Sequence, residues 1–353
     1  SVEGIKYHAK HLRKWMKPSK RKVVAAQWPG KVWVEYQPLG VVGIIVPWNY
    51  PLYLALGPML AALAAGNREM IKMSESTPRT GELLEELIGK TFAEDHVAVV
   101  NGEVDVAAAF SSLPFDHLLF TGSTTVGKHI MRAAAENLTP VTLELGGKSP
   151  CIIGQDFPMK DVAERIAFGK CMNSGQTCVA PDYILCPENR VREFVDAWTA
   201  QVKQSYPTMV NNPDYTAIVN ERQLKRLQGY VSEAREKGAE VIEINPANED
   251  FSGSQKLPHT MVLNVTDDMQ ISHDEIFGPL MIVVPYKTLD DAIDYVNERP
   301  RPLALYYFDW DQANGDKVLK STHSGGVCLN DTISHVGVDD IPFGGIGPSG
   351  MGA

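Results

Sequence analysis

The chain has 353 residues, of which 44% are hydrophobic and 22% are charged, as in an ordinary globular protein. At about 100 to 200 residues per domain, this length predicts two domains with cores of their own. The 43 acidic residues outnumber the 33 basic ones, and the net charge of -10 argues against nucleic acid as a partner. The most basic segment, residues 11–22, is interpreted as a solvated helix face.

The sequence predicts no membrane span and no metal site. Its most apolar stretch, residues 52–65, is shorter than the ~20 residues needed to cross a bilayer, and Gly57 and Pro58 interrupt it. No signal peptide is expected before it. The five cysteines are odd in number and lack C-x-x-C spacing, which argues against a disulfide framework and a zinc site. We therefore expect a cytoplasmic protein.

Short apolar runs alternate with longer helical patterns from residue 41 onward. The predicted strands are 41–46, 70–72, 97–100, 117–120 and 141–145. The predicted helices are 52–65, 80–92, 104–111 and 126–136. This alternation with apolar strands predicts a parallel sheet covered on both faces, the architecture of dinucleotide-binding domains.

A second set of alternating elements follows. Its predicted helices are 191–206, 221–237 and 289–297. Its predicted strands are 183–186, 280–284 and 303–308, and residues 245–256 are predicted to form an exposed loop. The glycines and the proline of residues 146–150 indicate the boundary between the sets. The prediction is an α/β fold, with a Rossmann-like parallel sheet domain over residues 1–146 and a second α/β domain over residues 147–345.

A turn of small residues, 121–127, lies between a predicted strand and a predicted helix. Backbone N–H groups at such a helix start can bind a pyrophosphate, and the Ser123 hydroxyl can also donate. Thr124 stands where the second glycine of G-x-G-x-x-G would be, so a helix cap without a ligand is the alternative interpretation.

Two groups of polar residues follow other predicted strands. Lys72 and Glu75 come at the sheet edge where open α/β sheets bind ligands, and they can hydrogen-bond ribose hydroxyls or lie in a solvated turn. Asn49 lies in a turn between Pro47 and Pro51. Its side-chain amide can donate to an oxyanion, although a role in the turn alone is the alternative.

A cysteine and a glutamate are candidates for catalysis. Cys178 lies among small and polar residues, which predict a loop or a helix start. A helix start would lower the pKa of its thiol toward neutrality, although a free cysteine is more often a small buried hydrophobe. Glu144 ends an apolar run, and burial there would raise its pKa toward that of a general base. The alternative for Glu144 is a structural ion pair.

These stretches, in this order, resemble the aldehyde dehydrogenase superfamily over nearly the whole chain. The resemblance is carried by residues 47–49, 72–75, 120–123, 143–150, 175–178, 275–279 and 342–345. Further stretches are similar to the class 3 type and, within it, to bacterial enzymes that oxidise coniferyl aldehyde: 37–43, 128–135, 212–216 and 241–246.

The resemblance implies a role for each candidate residue. Cys178 would be the nucleophile, Glu144 the base for the deacylating water, and Asn49 a donor to the oxyanion. The implied cofactor-binding residues are Trp48, Lys72, Glu75, Gly122, Ser123, Gly127, Glu275 and Phe277. The implied substrate pocket consists of Tyr50, Met172, Val179, His335 and Phe343. The implied cofactor is NAD, with NADP as the alternative.

The implied activity is oxidation of an aromatic aldehyde such as coniferyl aldehyde, through a thiohemiacetal and a thioester on Cys178. One alternative is an enzyme for medium- or long-chain aliphatic aldehydes. A CoA-acylating dehydrogenase is a second, although it has no use for Glu144 as a base for water. A third is a catalytically incomplete structural homologue.

The resemblance also bears on assembly and on the ends of the chain. It implies a homodimer, with an oligomerisation strand near residues 31–37. Residues 346–353 would begin a truncated C-terminal segment, and family helices that precede Ser1 would be missing. Met73 stands where the family's Lys-Pro-Ser-Glu motif has proline. We therefore expect the loop that holds Glu75 to be less fixed.

Overall fold

A computed structural model describes residues 2–352. Ser1, the first residue of the predicted segment 1–146, and Ala353, the last residue of the predicted segment 346–353, lie outside the described residues. The chain forms two compact units that divide between Thr142 and Leu143, and residues 122–124 also belong to the second unit. The predicted boundary at residue 146 lies slightly later. The functional assignment of the domains stays a prediction.

The first unit contains most of the elements predicted for the first half of the chain. Its helices are α1 (Val2–Trp15), α2 (Pro51–Ala64), α3 (Pro78–Thr91), α4 (Val104–Ser111) and α5 (Thr124–Ala135). Its strands are β1 (Ser19–Arg21), β2 (Val32–Val34), β3 (Val41–Ile45), β4 (Arg68–Lys72), β5 (Val97–Val100), β6 (His117–Thr121) and β7 (Val141–Glu144), of which β7 continues into the second unit.

The main sheet of the first unit has the strand order β7-β6-β3-β4-β5. Strand β3 is central and pairs in parallel with β4 and β6, with Ile45 opposite both Lys72 and Phe120. Helices α2 and α3 pack against the sheet, and Ile44 and Ile71 lie fully buried in its core. Parallel strands are buried because crossover helices cover them, which explains why these strands are apolar runs.

The second unit contains the remaining elements. Its helices are α6 (Met159–Cys171), α7 (Val191–Ser205), α8 (Glu221–Glu236), α9 (Gln270–His273), α10 (Leu289–Asn297) and α11 (Gln312–Ser321). Its strands are β8 (Ser149–Ile153), β9 (Pro181–Pro187), β10 (Glu240–Ile244), β11 (His259–Leu263), β12 (Leu280–Tyr286), β13 (Ala304–Phe308), β14 (Gly326–Leu329) and β15 (Gly350–Met351).

A seven-stranded sheet of order β10-β11-β12-β9-β8-β13-β14 forms the centre of the second unit. Only β10 among these strands pairs antiparallel, at the edge. Successive side chains of a strand point to opposite faces. Along β9, Ile184 therefore joins the hydrophobic cluster that includes Trp198 of α7, whereas Leu185 joins the one that includes Leu227 of α8. Helices thus cover both faces, which confirms the predicted α/β class with parallel sheets.

Two predictions for local structure were wrong. Residues 11–22 are not one helix face, because α1 ends at Trp15 and Lys20 and Arg21 lie in β1. Pro18 explains the break, since a proline disfavours helical geometry in the residue before it. No strand was predicted at β8, where all five residues are buried, because the neighbouring glycines and Pro150 were interpreted as a turn.

Among residues 2–352, no helix combines the length and the apolar character that a bilayer crossing requires. The predicted strand near residues 31–37 is present as β2, which pairs antiparallel with β1.

Glu69 of β4 is a carboxyl group in the core of the first unit, with 2% of its surface exposed. Burial raises its pKa from 4.5 to about 8, and the Leu63 backbone offsets only part of this effect. Below the unfolded-state pKa the group is neutral in both states, so its ionisation does not affect stability there. As the pH rises toward 8, the unfolded state ionises first, so the free energy of unfolding falls. At ~1.4 kcal/mol per pKa unit, the free energy of unfolding falls by several kcal/mol over this range.

We predict that Glu69→Gln weakens this pH dependence, because an amide does not ionise. Between about pH 5 and about pH 8, urea denaturation should show a smaller loss of stability in the variant than in the unsubstituted protein. Glu82→Gln, which replaces an exposed carboxylate of α3, is the matched control and should behave like the unsubstituted protein. Identical pH dependence with and without Glu69 would contradict the prediction.

Candidate active site

The first unit brings two groups of predicted residues to one edge of its sheet. Trp48, Asn49 and Tyr50 lie between the end of β3 at Ile45 and the start of α2 at Pro51. The N–H of Val46 donates to the carbonyl of Lys72 at 2.9 Å, so the two strands end side by side. This is the edge at which open α/β sheets bind ligands.

Lys72 is buried at this edge with 1% of its surface exposed. Its Nζ donates to the carbonyls of Met73 at 2.6 Å and Gly102 at 2.8 Å. Burial lowers its pKa, and the negative charges of Glu75 and Glu103 oppose that shift. Glu75 itself is exposed, so its carboxylate is available to a ligand hydroxyl.

Met73 itself is well anchored, and the expectation that the loop after it is less fixed stays a prediction. Its side chain is 1% exposed and packs in the core of the first unit. Its backbone N–H also donates to the carbonyl of Val100 at 3.0 Å. A proline at this position has no N–H to donate, so Met73 anchors the segment before Glu75 by a bond that the family's proline does not make.

The predicted pyrophosphate turn lies at the start of a helix. Ser123 directly precedes α5, and Gly127 is buried within that helix. In the second unit, the N–H of Gly122 donates to the carbonyl of Glu144 at 3.0 Å, and the Thr124 hydroxyl donates to the carbonyl of Pro348 at 2.9 Å. The free N–H groups of a helix start are the groups that bind phosphate oxygens.

Glu144 is the last residue of β7 and is half-buried. Its backbone is fixed because Glu144 pairs with Gly350 of β15 and the next N–H, of Leu145, donates to the carbonyl of Ser349 at 3.1 Å. Its Oε2 is buried without a protein partner. Burial raises the pKa of the carboxyl group to about 8, which confirms the direction expected for a buried carboxyl and suits a general base.

The segment that carries Cys178 has an unusual backbone. Helix α6 ends at Cys171, and a 3₁₀ turn follows in which Asn173 and Ser174 both adopt φ of 50°. Gly175 has φ of 71°, and a Cβ there would lie 2.3 Å from the carbonyl oxygen of Gly278. Left-handed backbone of this kind persists only where the surroundings hold it in place.

Two side chains of this segment hold it against residues 216–219. The hydroxyl of Ser174 donates to the carbonyl of Thr216 at 2.6 Å. Gln176 donates through Nε2 to the carbonyl of Ala217 at 3.0 Å and accepts through Oε1 from the N–H of Val219 at 3.0 Å. Sequence reasoning missed this role of Gln176, because nothing near it in the sequence indicates bonds to residues more than 40 positions away.

Of the two predicted settings for Cys178, a loop or a helix start, the structure shows the loop, and the lowered thiol pKa expected for a helix start is not found. Cys178 lies in a turn and is half-buried. Burial, together with the nearby charges of Glu275 and Glu144, raises the pKa of its thiol to about 12, against the opposing effect of the N–H groups of Cys178 and Val179. The thiol is therefore neutral at neutral pH in the free protein, and two carboxyl groups lie close to it.

Glu275 directs its carboxyl group toward Gly146, where an added Cβ would lie 2.3 Å from Oε1. Burial raises its pKa to about 8, and the Gly147 backbone offsets part of that effect. Its Oε1 is buried without a protein partner. A buried oxygen that lacks a hydrogen bond costs about 1 to 3 kcal/mol. The position therefore fits a ligand that supplies a hydroxyl, such as the ribose of a dinucleotide.

Four predicted pocket residues also lie in the second unit. Val179 is buried, and its carbonyl accepts from the hydroxyl of Tyr306 at 2.5 Å. The ring of His335 lies 6.2 Å from that of Tyr306 and 5.9 Å from that of Phe343. Cys178 and Phe343 pack against the same buried cluster as Val179. Met172, which is 38% exposed, begins the 3₁₀ turn.

All five cysteines are free thiols. Burial raises the pKa of each of them, including Cys151, Cys171 and Cys186. Cys178 differs because two carboxyl groups are its main charged neighbours. Within residues 2–352, no group of three or more histidine, cysteine, aspartate or glutamate side chains is placed to bind a metal ion.

Comparison with known proteins gives the family. The pattern described as "Aldehyde dehydrogenase family" matches residues 1–353. A protein of Pseudomonas aeruginosa named "Probable coniferyl aldehyde dehydrogenase" is 63% identical over 352 residues, which cover 100% of this chain and 73% of that protein.

Two solved structures share the fold over nearly the whole chain. The structure described as a substrate-bound state of Staphylococcus aureus AldH has a TM-score of 0.94 at 38% identity, covering 99% of this chain and 76% of the other. A Mycobacterium tuberculosis aldehyde dehydrogenase complexed with NAD+ has a TM-score of 0.87 at 33% identity, covering 99% and 72%. The chain therefore belongs to the aldehyde dehydrogenase family.

Proposed function

We propose that this protein oxidises an aromatic aldehyde to its carboxylic acid with NAD, through a covalent intermediate on Cys178. The observation that carries the proposal is the neighbourhood of Cys178, whose thiol lies close to two carboxyl groups with raised pKa values in the second unit. A thiol nucleophile beside a proton acceptor is the arrangement that covalent catalysis needs.

The thiol must lose its proton before it attacks, since burial holds its pKa near 12. A carboxylate takes that proton, and Sγ forms a bond to the carbonyl carbon of the aldehyde, which leaves an alkoxide on the former carbonyl oxygen. Bound nicotinamide supplies the hydride acceptor that converts this adduct into a thioester. Asn49 belongs to the first unit, and its role as a donor to the alkoxide stays a prediction.

Glu144 acts in the second half of the reaction. It removes a proton from water, the water oxygen attacks the thioester carbon, and the carbon–sulfur bond breaks to release the acid and restore the thiol. With a pKa of about 8, Glu144 is a stronger base than an ordinary carboxylate, yet it ionises within the range where enzymes work. This use of water also separates the proposal from CoA acylation, in which a thiol takes the acyl group.

NAD is the cofactor that this proposal names. The relative from Mycobacterium tuberculosis was solved with NAD+. The exposed carboxylate of Glu75 favours NAD over NADP, because it repels a 2'-phosphate. Ser123 at the start of α5 would bind the pyrophosphate, and Glu275 the nicotinamide ribose with Phe277 packed nearby.

We further propose a homodimer in the cytoplasm. The β1–β2 hairpin exposes Val32, Trp33 and Val34, with 49%, 52% and 39% of their surfaces open. An exposed apolar strand of this kind is an edge that a second copy of the chain can cover. The free cysteines favour a reducing compartment.

We predict that Cys178→Ala abolishes aldehyde-dependent NADH formation but leaves NAD binding within about twofold, because the sulfur reacts with the aldehyde and not with the dinucleotide. Absorbance of NADH and titration of protein fluorescence with NAD measure the two effects. Cys171→Ala is the matched control, since Cys171 is also a half-buried thiol of raised pKa, and it should keep most of its turnover. Near-normal oxidation by Cys178→Ala would overturn the assignment.

Glu144→Gln should form NADH in a first burst and then turn over at least ~100-fold more slowly, because an amide leaves thiolate attack intact but cannot take a proton from water. Rapid mixing with aldehyde and NAD measures both phases. In the unsubstituted protein the slow step should accelerate as the pH rises through about 8, where Glu144 becomes ionised, and this rise should be absent from the variant. Loss of the burst itself would show that Glu144 acts earlier.

Coniferyl aldehyde should give a kcat/KM at least ~10-fold higher than an unsaturated aliphatic aldehyde of similar length. The relative from Pseudomonas aeruginosa carries the coniferyl name, and Val179 and Phe343 provide apolar surface beside Cys178. A well-buried ring face adds ~1 kcal/mol or more to transition-state binding. Equal or better kcat/KM for the ringless aldehyde would refute the aromatic substrate and leave the chemistry of Cys178 standing.

A further inference from the structure

Arg226 of α8 binds the backbone of the segment that carries Glu275. Its guanidinium donates through Nη1 to the carbonyl of Glu275 at 3.1 Å and through Nη2 to the carbonyl of Ile276 at 2.7 Å. Nη1 also donates to the hydroxyl of Tyr230 at 3.1 Å, and Nε donates to Oε1 of Gln223 at 2.7 Å. The planar guanidinium thus has three of its nitrogens engaged at once, which fixes its orientation.

Further groups, from α8 and from outside it, hold the same segment. The N–H of Ile276 donates to Oδ2 of Asp182 at 2.8 Å, and Asp182 forms a buried ion pair with Lys148. Lys148 also donates to the carbonyl of Asp274 at 2.9 Å, and Tyr230 donates to Oδ2 of Asp274 at 2.8 Å. Residues 274–276 are therefore fixed through their backbone as well as through Asp274.

The carboxyl group of Glu275 itself has fewer protein contacts than its backbone. The Gly147 backbone hydrogen-bonds it, but its Oε1 is buried without a protein partner and lies against the bare Cα of Gly146. The position of this carboxyl group therefore depends strongly on the position of the backbone that carries it. Phe277, two residues later, adopts φ of 50°, a conformation that a bulky residue keeps only under constraint.

Helix α8 also lies next to the anchor of the nucleophile segment. Residues 216–219, which bind Ser174 and Gln176, immediately precede α8, whose N-cap is Asn220. Gly175 and Gly278 approach so closely that no Cβ fits between them. The start of α8 therefore supports both the thiol segment and the Glu275 segment.

We propose that Arg226 is a positioning residue that sets Glu275 for a hydroxyl of the bound dinucleotide. Arg226 touches neither the aldehyde nor Cys178 in this role, and its effect passes through the Glu275 backbone. Catalytic side chains need placement within about 0.5 Å, and the two bonds from Arg226 supply that placement here. The inference rests on the proposed function, because it assumes that a dinucleotide binds.

The test combines variants of Arg226 and Glu275 in a double-mutant cycle. Arg226→Gln should raise the Kd for NAD and the KM for NAD about 10-fold while the KM for aldehyde stays within about twofold, since only the dinucleotide contact is displaced. Glu275→Gln should weaken NAD binding similarly. The double variant should be no weaker than Glu275→Gln alone, because Arg226 has no further effect once the carboxylate is gone. Fluorescence titration gives the Kd without turnover.

Two further variants keep the test decisive if Arg226→Gln folds poorly. Arg226→Lys retains the charge but can make only one of the two carbonyl bonds, so it should restore NAD binding in part. Tyr230→Phe removes the hydroxyl that joins Arg226 to Asp274 and should shift the Kd in the same direction by a smaller factor. Arg235 lies on the same helix as Arg226 and forms a surface ion pair with Glu243 of β10. Arg235→Gln breaks that pair, is the control and should leave the Kd unchanged.

Either of two results overturns the inference. One is that Arg226→Gln binds NAD with unchanged affinity. Even if the thermal stability of this variant falls, unchanged affinity would show that Arg226 has a purely structural role. The other is a loss of affinity that is equally large with and without Glu275. Failure of the unsubstituted protein to bind NAD would instead overturn the proposed function together with the inference, whereas normal NAD binding with no aldehyde oxidation would overturn the activity alone.

Discussion

The burial of Cys178 beside two carboxyl groups is the constraint on which the proposed chemistry of the second unit depends. A thiol and two carboxyl groups, Glu144 and Glu275, lie close together, and burial makes the charged form of each unfavourable. Proximity adds to this effect, because a charge on one of them opposes a charge on the next. The free protein therefore holds the proposed nucleophile as a neutral thiol, which also protects the sulfur from oxidation, since the thiolate is the reactive form.

Such a site works only if its members are held by groups that do not themselves react. The thiol segment depends on Ser174 and Gln176, and the Glu275 segment depends on Arg226, Lys148 and Asp182. Most of these bonds end on backbone carbonyls or N–H groups. Because they fix the backbone, Glu275 can keep an oxygen free for a ligand. The unpaired oxygen is a cost to the folded protein, and a bound hydroxyl removes that cost.

The sequence predicted the elements whose patterns are local. Helices α4 and α10 lie at the predicted bounds, and α8 differs by one residue at its end, because apolar spacing and capping are read within a few residues. Strand β8 was missed because it comes soon after Gly146 and Gly147, which indicated a turn. A buried strand of five residues has no alternation of apolar and polar residues that would distinguish it from the residues after a turn.

The sequence selected the candidate residues and predicted the raised pKa of Glu144, but it did not predict the raised pKa of Cys178. Cys178 and Glu144 could be selected from their motifs, yet the pKa of the thiol depends on which carboxyl groups the fold brings near it. The supporting residues gave no signal at all. Arg226 lies 50 positions from Ile276, and Lys148 lies 34 positions from Asp182, so only the folded chain reveals these pairs.

The most direct test of the account is to identify the atom that holds the acyl group. Glu144→Gln should be mixed with NAD and coniferyl aldehyde, quenched in acid and digested, and the peptides weighed by mass spectrometry. The account predicts that the acyl mass appears on the peptide with Cys178, and only when NAD is present. NADH formation with no acyl group on that peptide, or with the acyl group on Cys171, would contradict it.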